Sequence, residues 1–410
     1  MDQRKLYKTV ENIASKSFNS ETEMLISTLN QLISFTAINV TGGRIWKIDK
    51  ERGIYTLLYQ TGNVDEINPD FTLNFTEYPI FEVITRERTI LDTETNIFLR
   101  SKGILKYSAT GVGDKIKVNA KQYYEYLLAL NTTNFTEEQK ITLNIIATAI
   151  TSQIKQKRYS LRAKMLKADI NKAYELQKSI LPEHEYKFHN YELYGISDPA
   201  EIVGGDLFDY LTVGDDEDRL GVAVGDAASK GVSAAAEAMY ISGALRMATN
   251  FEIKIYPLMK RMNALVNKIF SDDRFASLFY GELSNDAGGL FLYSNAGHNP
   301  PIFIKNSLNR VITLDTTGPL LGPSPLAKYT VENINFEKGD VLLIYTDGIT
   351  DSADSNFDNY GEERLTNLFL TLKDLSPKEI ALGILEDVIK FSKNGQYSDD
   401  KTMVIIKRVK

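Results

Sequence analysis

The stretch from residue 151 to residue 181 constrains the fold most, because it contains neither glycine nor proline. Ile154, Leu161 and Ala168 recur at intervals of seven within it, which predicts a long helix with a weak, interrupted heptad seam. Such a seam favours pairing with a second copy of the chain as a homodimer. The alternative is a single helix that packs on its own domain.

This helix divides the chain into two parts, and both parts contain strand-like runs. At 410 residues the chain is long enough for two to three domains of about 150 residues. The pattern of the first part predicts the order helix, strands, helix, strand, helix, which is typical of an α+β domain. The pattern of the last part predicts apolar strands that alternate with helices. We therefore predict an α+β protein of three parts. A smaller domain at residues 1–150 is joined by a helical linker at 151–185 to a larger domain at 186–410.

Composition narrows the chemistry that this chain can perform. The net charge of −7 argues against nucleic acid as a partner, and no run of residues is apolar enough to span a membrane, so we expect a cytoplasmic protein. There is no cysteine and there are only three histidines, which excludes thiolate and imidazole-rich metal sites. A bound metal would be held by oxygen atoms, which favours Mg²⁺, Mn²⁺ or Ca²⁺.

Acidic residues recur at the ends of the apolar runs of the last part, and three of them, Asp206, Asp226 and Asp347, lie beside glycine. A single aspartate beside glycine is most often a turn residue. Several such sites in one domain indicate more, since carboxylates that converge repel each other unless cations neutralise them. The aspartates at these positions are Asp206, Asp226, Asp347, Asp399 and Asp400.

With these motifs in order, residues 175 to 408 resemble the metal-dependent PPM (protein phosphatase 2C-like) serine/threonine phosphatases of the SpoIIE/RsbU branch. The resemblance implies a β-sandwich flanked by helices and hydrolysis without a phosphoenzyme, which suits a chain without cysteine. The matching segments are LQKSILPE, VGGDLFDY, VGDAASKGVSAAAEAM, FASLFYGEL, SNAGHNPP, TGPLLG, GDVLLIYTDGITDS, YGEERL and SDDKTMVII.

The resemblance also implies roles for individual residues. Asp226 would bridge two divalent cations, Mn²⁺ or Mg²⁺, and the backbone carbonyl of Ala227 would complete the second site. Asp347 and Asp399 would complete the first site. Asp206 would act near the second cation, through a water molecule. Two such cations can activate water and screen the charge of a phosphate ester.

Three further residues of these motifs have roles that the sequence leaves open. Asp209 and Asp400 flank the predicted metal ligands. His298 is the one histidine inside a matching motif, and it could serve as a general acid for the leaving alkoxide. The alternative is a structural role, because glycine, asparagine and proline surround His298 as in a tight turn.

The first part resembles a GAF sensor domain in the order of its elements and in its ending, YYEYLLALNTTNFTEEQKITLNIIATAITSQI. This resemblance implies a small-molecule or protein signal. The segment contains neither cysteine nor histidine, which excludes a thioether-linked bilin and a histidine-ligated haem. Its aromatic residues, Trp46 among them, either line a pocket or pack in the core.

Taken together, the resemblances imply a signal-regulated phosphatase that acts on a phosphorylated STAS-domain anti-anti-sigma protein. In this branch the helix after GDAASKG serves as a switch that completes the metal site, and its many small residues suit sliding between two packings. One alternative is a sensor or binding pseudophosphatase without turnover. Another alternative is a diguanylate cyclase, because GGDLF resembles that family's GGDEF signature. That hypothesis leaves the downstream acidic motifs unexplained.

Overall fold

The computed structural model describes residues 3–16, 18–34, 40–63, 65–132, 136–214, 218–270, 274–393, 395 and 399–410. Its contacts divide the chain into two compact units, Met1–Met165 and Leu166–Lys410, and this division falls inside the predicted linker. The mixed α+β class predicted from the sequence is confirmed. Within the described residues, no helix combines the length and the apolar character needed to cross a membrane.

The first unit is built on one six-stranded antiparallel sheet. Its strands lie in the order β3-β2-β1-β6-β5-β4. The bounds are β1 Val40–Asp49, β2 Ile54–Gly62, β3 Thr72–Asn74, β4 Thr89–Thr93, β5 Lys106–Val118 and β6 Lys121–Thr132. The helices are α1 Gln3–Ser15, α2 Glu21–Ser34, α3 Ile80–Glu87, α4 Ile97–Ser101 and α5 Glu137–Ile180.

Each face of this sheet has its own core. On one face, Ile45 and Leu128 pack with Leu29 of α2 and Ile150 of α5. On the other face, Trp46 and Leu127 pack with residues of α3 and α4 such as Phe81 and Leu99. The sheet is therefore covered on both sides, and its strands alternate between the two cores.

Helix α5 is continuous over 44 residues and includes both the predicted closing helix of the first domain and the predicted linker helix. Its start is the predicted capping box. The Thr136 hydroxyl accepts from the backbone N–H of Gln139, and the Gln139 side chain accepts from the Thr136 N–H. The absence of glycine and proline explains its length, since no residue of the stretch breaks the helical hydrogen-bond ladder.

The second unit is a sandwich of two antiparallel sheets with helices on both outer sides. One sheet has the order β15-β12-β11-β10-β9 and the other has the order β14-β13-β16-β17-β8-β7. The strands are β7 Glu185–Phe188, β8 Tyr191–Asp198, β9 Asp206–Thr212, β10 Arg219–Ala227, β11 Ala276–Ser284, β12 Leu290–Ala296, β13 Ile302–Lys305, β14 Arg310–Thr313, β15 Glu332–Asn335, β16 Val341–Tyr345 and β17 Lys401–Arg408. The helices are α6 Gly231–Thr249, α7 Ile255–Ile269, α8 Asp347–Thr350, α9 Glu362–Leu372 and α10 Pro377–Ser392.

Large apolar side chains fill the space between the two sheets. Phe208, Val224 and Phe279 from the five-stranded sheet pack against Ile344 and Val404 from the six-stranded sheet. These strands carry apolar residues on both faces because α6 and α7 cover one sheet and α9 and α10 cover the other. This arrangement explains the nearly continuous apolar runs in the sequence.

The spacing of Val232, Ala236, Met239, Gly243 and Met247 predicts the buried face of α6, but the structure buries a different face. The larger apolar residues Val232 and Met247 lie on the exposed side, 51% and 66% exposed. The buried side consists of smaller residues such as Ala234 and Ala238 together with Leu245. Ile241 is buried on the same side, and this side packs against the leucines of β9.

Candidate active site

The first two acidic residues of the site lie side by side on neighbouring strands. Asp206 begins β9 and faces Asp226, near the end of β10, in the antiparallel register. The carboxyl groups of Asp206 and Asp226 are close enough to share a proton. Asp206 also accepts a hydrogen bond from the Thr346 hydroxyl at 2.7 Å. The pairing of β9 with β10 therefore creates a buried pair of acids.

The remaining acids come from the other sheet. Asp347 follows β16 as the first residue of α8, and Asp399 and Asp400 directly precede β17. Strands β16 and β17 are paired, so these residues lie at the same end of the six-stranded sheet. The site therefore forms where the two sheets of the sandwich meet. A cavity of about 270 Å³ opens there, and its lining includes Gly205, Asp226, Ala227, Lys230, Asp347, Asp399 and Asp400.

Burial and mutual repulsion dominate the electrostatics of this cavity. Burial, followed by the charges of Asp347, Asp399 and Asp400, raises the pKa of Asp226 to about 7. Burial and the neighbouring Asp226 raise the pKa of Asp206 well above its usual value. The pKa of Asp347 is also raised, chiefly by burial. The cluster therefore holds excess negative charge, which protons or cations must neutralise.

Two glycines allow the backbone to approach these acids. A side chain at Gly205 would place its Cβ 3.0 Å from the Ala227 carbonyl oxygen and 3.6 Å from Asp226 Oδ1. A Cβ at Gly348 would collide with the backbone carbonyl of Asp400. The glycines beside the aspartates thus keep the cavity open and bring backbone oxygen close to the carboxylates.

The donor set of the cavity fits hard divalent cations. Its carboxylates and the Ala227 carbonyl are all oxygen donors, which Mg²⁺ and Mn²⁺ accept. The excess negative charge around Asp226 supplies the electrostatic reason for binding them. Among the described residues no three acidic or histidine side chains already stand in metal-binding geometry, so binding would require the carboxylates to turn toward a shared ion.

Asp400 lines the cavity but its oxygens are engaged with the backbone. One oxygen accepts from the N–H of Ala200 at 2.8 Å and the other accepts from the N–H of Gly205 at 2.6 Å. Asp400 therefore holds the loop that precedes β9 in place. Asp399 is half-buried beside it, with its carboxylate 3.7 Å from the amine of Lys230.

Asp209 lies outside the cavity lining and has a cationic partner. Its carboxylate accepts from Arg246 of α6 at 2.6 and 3.0 Å and from the Ser242 hydroxyl at 3.1 Å. Arg246 also donates to the carbonyl of Ile180 at the end of α5. Asp209 therefore anchors α6 and the end of α5 to the sheet, through two hydrogen bonds from the guanidinium of Arg246.

His298 is also outside the cavity lining. It is fully buried, which lowers its pKa to about 4. Its Nδ1 lies 2.8 Å from the Ser277 hydroxyl, and its backbone N–H donates to Asn295 Oδ1. These are the contacts of a residue that stabilises a turn, and the general-acid role stays a prediction.

Several polar contacts around the site were not anticipated from the sequence. The Gln177 side chain of α5 donates to the carbonyl of Gly204 at 2.7 Å and accepts from its N–H at 3.2 Å. Thr346 supports Asp206, and Arg246 pairs with Asp209. The sequence offered one signal, since Arg246 and Glu237 are the only charged residues of α6. In the structure Glu237 is itself buried, and Arg246 pairs with buried Asp209.

Comparison with known proteins agrees with this architecture. Residues 216–409 match the family model described as stage II sporulation protein E (SpoIIE). Protein IcfG of Synechocystis is 28% identical over 267 residues, which cover 58% of this chain and 41% of IcfG. The phosphoserine phosphatase RsbU of Bacillus subtilis is 25% identical over 253 residues, covering 59% of this chain and 71% of RsbU. The SiaA PP2C domain of Pseudomonas aeruginosa superposes with a TM-score of 0.51 at 16% identity over 60% of this chain and 98% of that domain.

The two-sheet sandwich and its acidic cavity thus define the class of the second unit, which is a PP2C-type phosphatase domain. Within that class it is a SpoIIE-family domain related to RsbU. The predicted resemblance of this part of the chain is therefore confirmed. The first unit is a separate β-rich domain, and its identity as a GAF domain stays a prediction. The chain spans less than half the length of IcfG.

Proposed function

We propose that this chain is a metal-dependent protein serine/threonine phosphatase whose catalytic centre is the acidic cavity of the second unit. One observation carries the proposal. Buried Asp226 is surrounded by Asp347, Asp399 and Asp400, and burial together with these charges raises its pKa to about 7. A site of this kind is suited to binding divalent cations and, through them, a phosphate ester.

In this proposal Asp226, the Ala227 carbonyl, Asp347 and Asp399 hold two divalent cations, Mn²⁺ or Mg²⁺. When bound, such cations activate water and neutralise negative charge on the phosphate. Asp206 lies behind Asp226 rather than in the cavity lining, so it would orient the Asp226 carboxylate or act through water. Asp400 would keep the loop before β9 at the correct distance from the cations.

The deciding experiment is hydrolysis of p-nitrophenyl phosphate by wild type and by Asp226→Asn, with and without Mn²⁺. We expect Mn²⁺-dependent turnover in the wild type and a loss of more than about a hundredfold in the variant, because even an outer-shell change costs about 10- to 100-fold. Asp315→Asn is the control, since Asp315 is an exposed carboxylate of the same unit. Equal turnover by Asp226→Asn at saturating Mn²⁺ would refute the assignment. Absence of turnover in a folded wild type that binds Mn²⁺ would favour the pseudophosphatase.

The physiological substrate in this proposal is a phosphorylated STAS-domain anti-anti-sigma protein. The support is the relation to RsbU, a phosphoserine phosphatase, and to the SpoIIE family. The test is to present the purified enzyme with the phosphorylated STAS proteins of its own genome. If it leaves all of them phosphorylated but dephosphorylates other phosphoproteins, the partner-switching role is wrong.

Control of the activity through α5 is the remaining part of the proposal. At the end of α5, Gln177 bonds to Gly204 beside the cavity, and Arg246 links the Ile180 carbonyl to α6. A change in α5 could therefore reach both the acidic loop and the helix proposed as a switch. We propose that a signal received by the GAF-like first unit changes α5 pairing in a homodimer, and that activation appears as tighter apparent Mn²⁺ binding.

Leu161 and Met165 provide the test of this pairing, because they are 48% and 67% exposed on α5 and lie on the predicted seam. Replacing both with glutamate should weaken the dimer and change basal activity or its Mn²⁺ dependence. Variants that stay dimeric would place the dimer contact elsewhere. Monomeric variants with unchanged activity and Mn²⁺ dependence would mean that the helix is only a tether.

The cytoplasmic location expected from the sequence also stays a prediction.

A further inference from the structure

A cavity of about 50 Å³ lies inside the first unit, between one face of the sheet and helices α3 and α4. It has room for about four water molecules, which corresponds to a small organic molecule. Most of its wall is apolar. The wall includes Trp46, Phe81, Ile84, Leu99, Ile104 and Leu127.

A charged side chain stands in this apolar wall. Arg44, on β1, is only 2% exposed. Its Nη1 donates to Asn131 Oδ1 at 3.1 Å and its Nη2 donates to the Asp65 carbonyl at 3.3 Å, both neutral acceptors. Its Nε–H has no hydrogen-bond partner among the described residues. A guanidinium has five N–H donors, and the contacts with the described residues use two of them.

Within the part of the chain that the structure describes, the charge of Arg44 is not paired with a carboxylate. Burial lowers the pKa of Arg44 to about 10, and no carboxylate acts against that effect. The carboxylate in the lining belongs to Glu94, which accepts from the backbone N–H groups of Thr95 and Asn96. Among the described residues, no hydrogen bond or ion pair joins Glu94 to Arg44, whose donors bond to Asn131 and to the Asp65 carbonyl.

A buried cation without a counter-ion is costly, so an anion that pairs with it would be stabilised there. The planar edge formed by Nε and Nη matches the two oxygens of a carboxylate. The apolar wall disfavours inorganic phosphate, which is strongly hydrated, and favours an anion with a hydrocarbon body. The Tyr78 hydroxyl, buried in the same wall beside Asn96 without a hydrogen bond of good geometry, offers one more polar contact.

We infer that this cavity is a binding site for a small organic acid, whose carboxylate pairs with Arg44 and whose apolar part packs against Trp46 and the helices. The inference is independent of the proposed phosphatase activity, because it concerns a different unit and is measured by binding alone. Trp46 is the only tryptophan of the sequence and lines the cavity, so its fluorescence reports occupancy without an added label.

The experiment titrates the full chain with butyrate, butyramide, butylamine and inorganic phosphate at constant ionic strength, following Trp46 emission and calorimetric heat. Butyrate should give a saturable change and should bind at least about tenfold more tightly than butyramide, since hydrogen bonds to charged groups are the stronger ones. Acetate, hexanoate and benzoate then measure the size of the site. Equal binding of acid and amide, preference for the amine or for phosphate, or no saturable change with any acid would overturn the inference.

Variants test the role of Arg44 directly. Arg44→Met should abolish the response to butyrate, and Arg44→Lys should weaken it, because lysine keeps the charge but loses the planar fork. Arg86→Met is the matched control, since Arg86 is an exposed arginine on α3 outside the cavity lining. If Arg44→Met does not fold, Arg44→Lys and the comparison of acid with amide in the wild type still decide. Unchanged butyrate affinity in a folded Arg44→Met protein would also overturn the inference.

Discussion

The two units each bury charge, but of opposite sign and in different surroundings. The cavity of the second unit gathers carboxylates and backbone oxygen in a polar space. The cavity of the first unit holds the single guanidinium of Arg44 in an apolar wall. Asp209, in the same sheet as Asp226, shows the ordinary solution, because it is buried against Arg246. By contrast, buried Asp226 is surrounded by other acids, and Arg44 donates only to neutral acceptors among the described residues.

The largest expected effect on stability comes from removing the cation that pairs with Asp209. Arg246→Met leaves Asp209 buried without its cation and should lower the free energy of unfolding by about 3 kcal/mol. Chemical denaturation measures the loss. Arg364→Met, which breaks the more exposed pair with Asp387, is the control and should cost less than about 1 kcal/mol. Similar losses for both variants would mean that pairing does not set Asp209 apart from the acids of the cavity.

The next effect comes from relieving repulsion at the acidic cavity. Asp226→Asn should raise the free energy of unfolding by about 2 kcal/mol at pH 8 in the presence of a chelator, because the amide can donate to Asp206 and carries no charge. The folded-state pKa of Asp226 is raised from 3.8 to about 7, so the wild type loses stability as pH rises across that interval. The advantage of the variant should therefore disappear near pH 4.

Thermal unfolding of both proteins between pH 4 and pH 8 checks this sign. Mn²⁺ should stabilise the wild type and should have little effect on Asp226→Asn, while Asp315→Asn should behave as the wild type does. A variant that is less stable than the wild type at pH 8 without metal would show that Asp226 is a structural acid. The comparison between unpaired and paired acids would then fail.

The smallest effect is expected at Arg44. Arg44→Met loses two hydrogen bonds but also removes the cost of a buried, uncompensated charge, so these contributions should nearly cancel. We expect the free energy of unfolding of the ligand-free protein to change by less than about 1 kcal/mol. Chemical denaturation under the conditions used for Arg246→Met allows direct comparison. A loss as large as that of Arg246→Met would make Arg44 a structural anchor.

Local pattern predicted the strands and helices that carry the site. The apolar runs ending at Asp226 and Asp347 and the run after Asp400 are strands β10, β16 and β17, as predicted. The sequence SPKE at 376–379 has the capping-box pattern, and Ser376 and Glu379 form both reciprocal hydrogen bonds at the start of α10. These features depend on side chains within a few residues of each other, which is why the sequence alone reveals them.

Pattern was less informative where packing decides which side of an element is buried. In α6 the spacing of Val232 and Met247 indicated an apolar face, yet both are exposed and the alanines face the sheet. Likewise β5 and β9 were not predicted as strands, although both are central to the cores. Their environment comes from the neighbouring strands and helices, which periodicity within one segment does not describe.

The sequence by itself determined the order of the motifs, the oxygen-only chemistry of any metal site and the long helix without glycine or proline. Only the tertiary structure decided which charges have partners. Asp209 and Asp226 look alike in the sequence, each in an apolar strand, but one meets Arg246 across 37 residues and the other meets Asp347 and Asp399. Likewise, Arg44 is a candidate ligand-binding residue only because the sheet and two helices enclose it in the folded protein. The physical reason is that the free energy of a buried charge depends on neighbours that the fold brings together from distant parts of the chain.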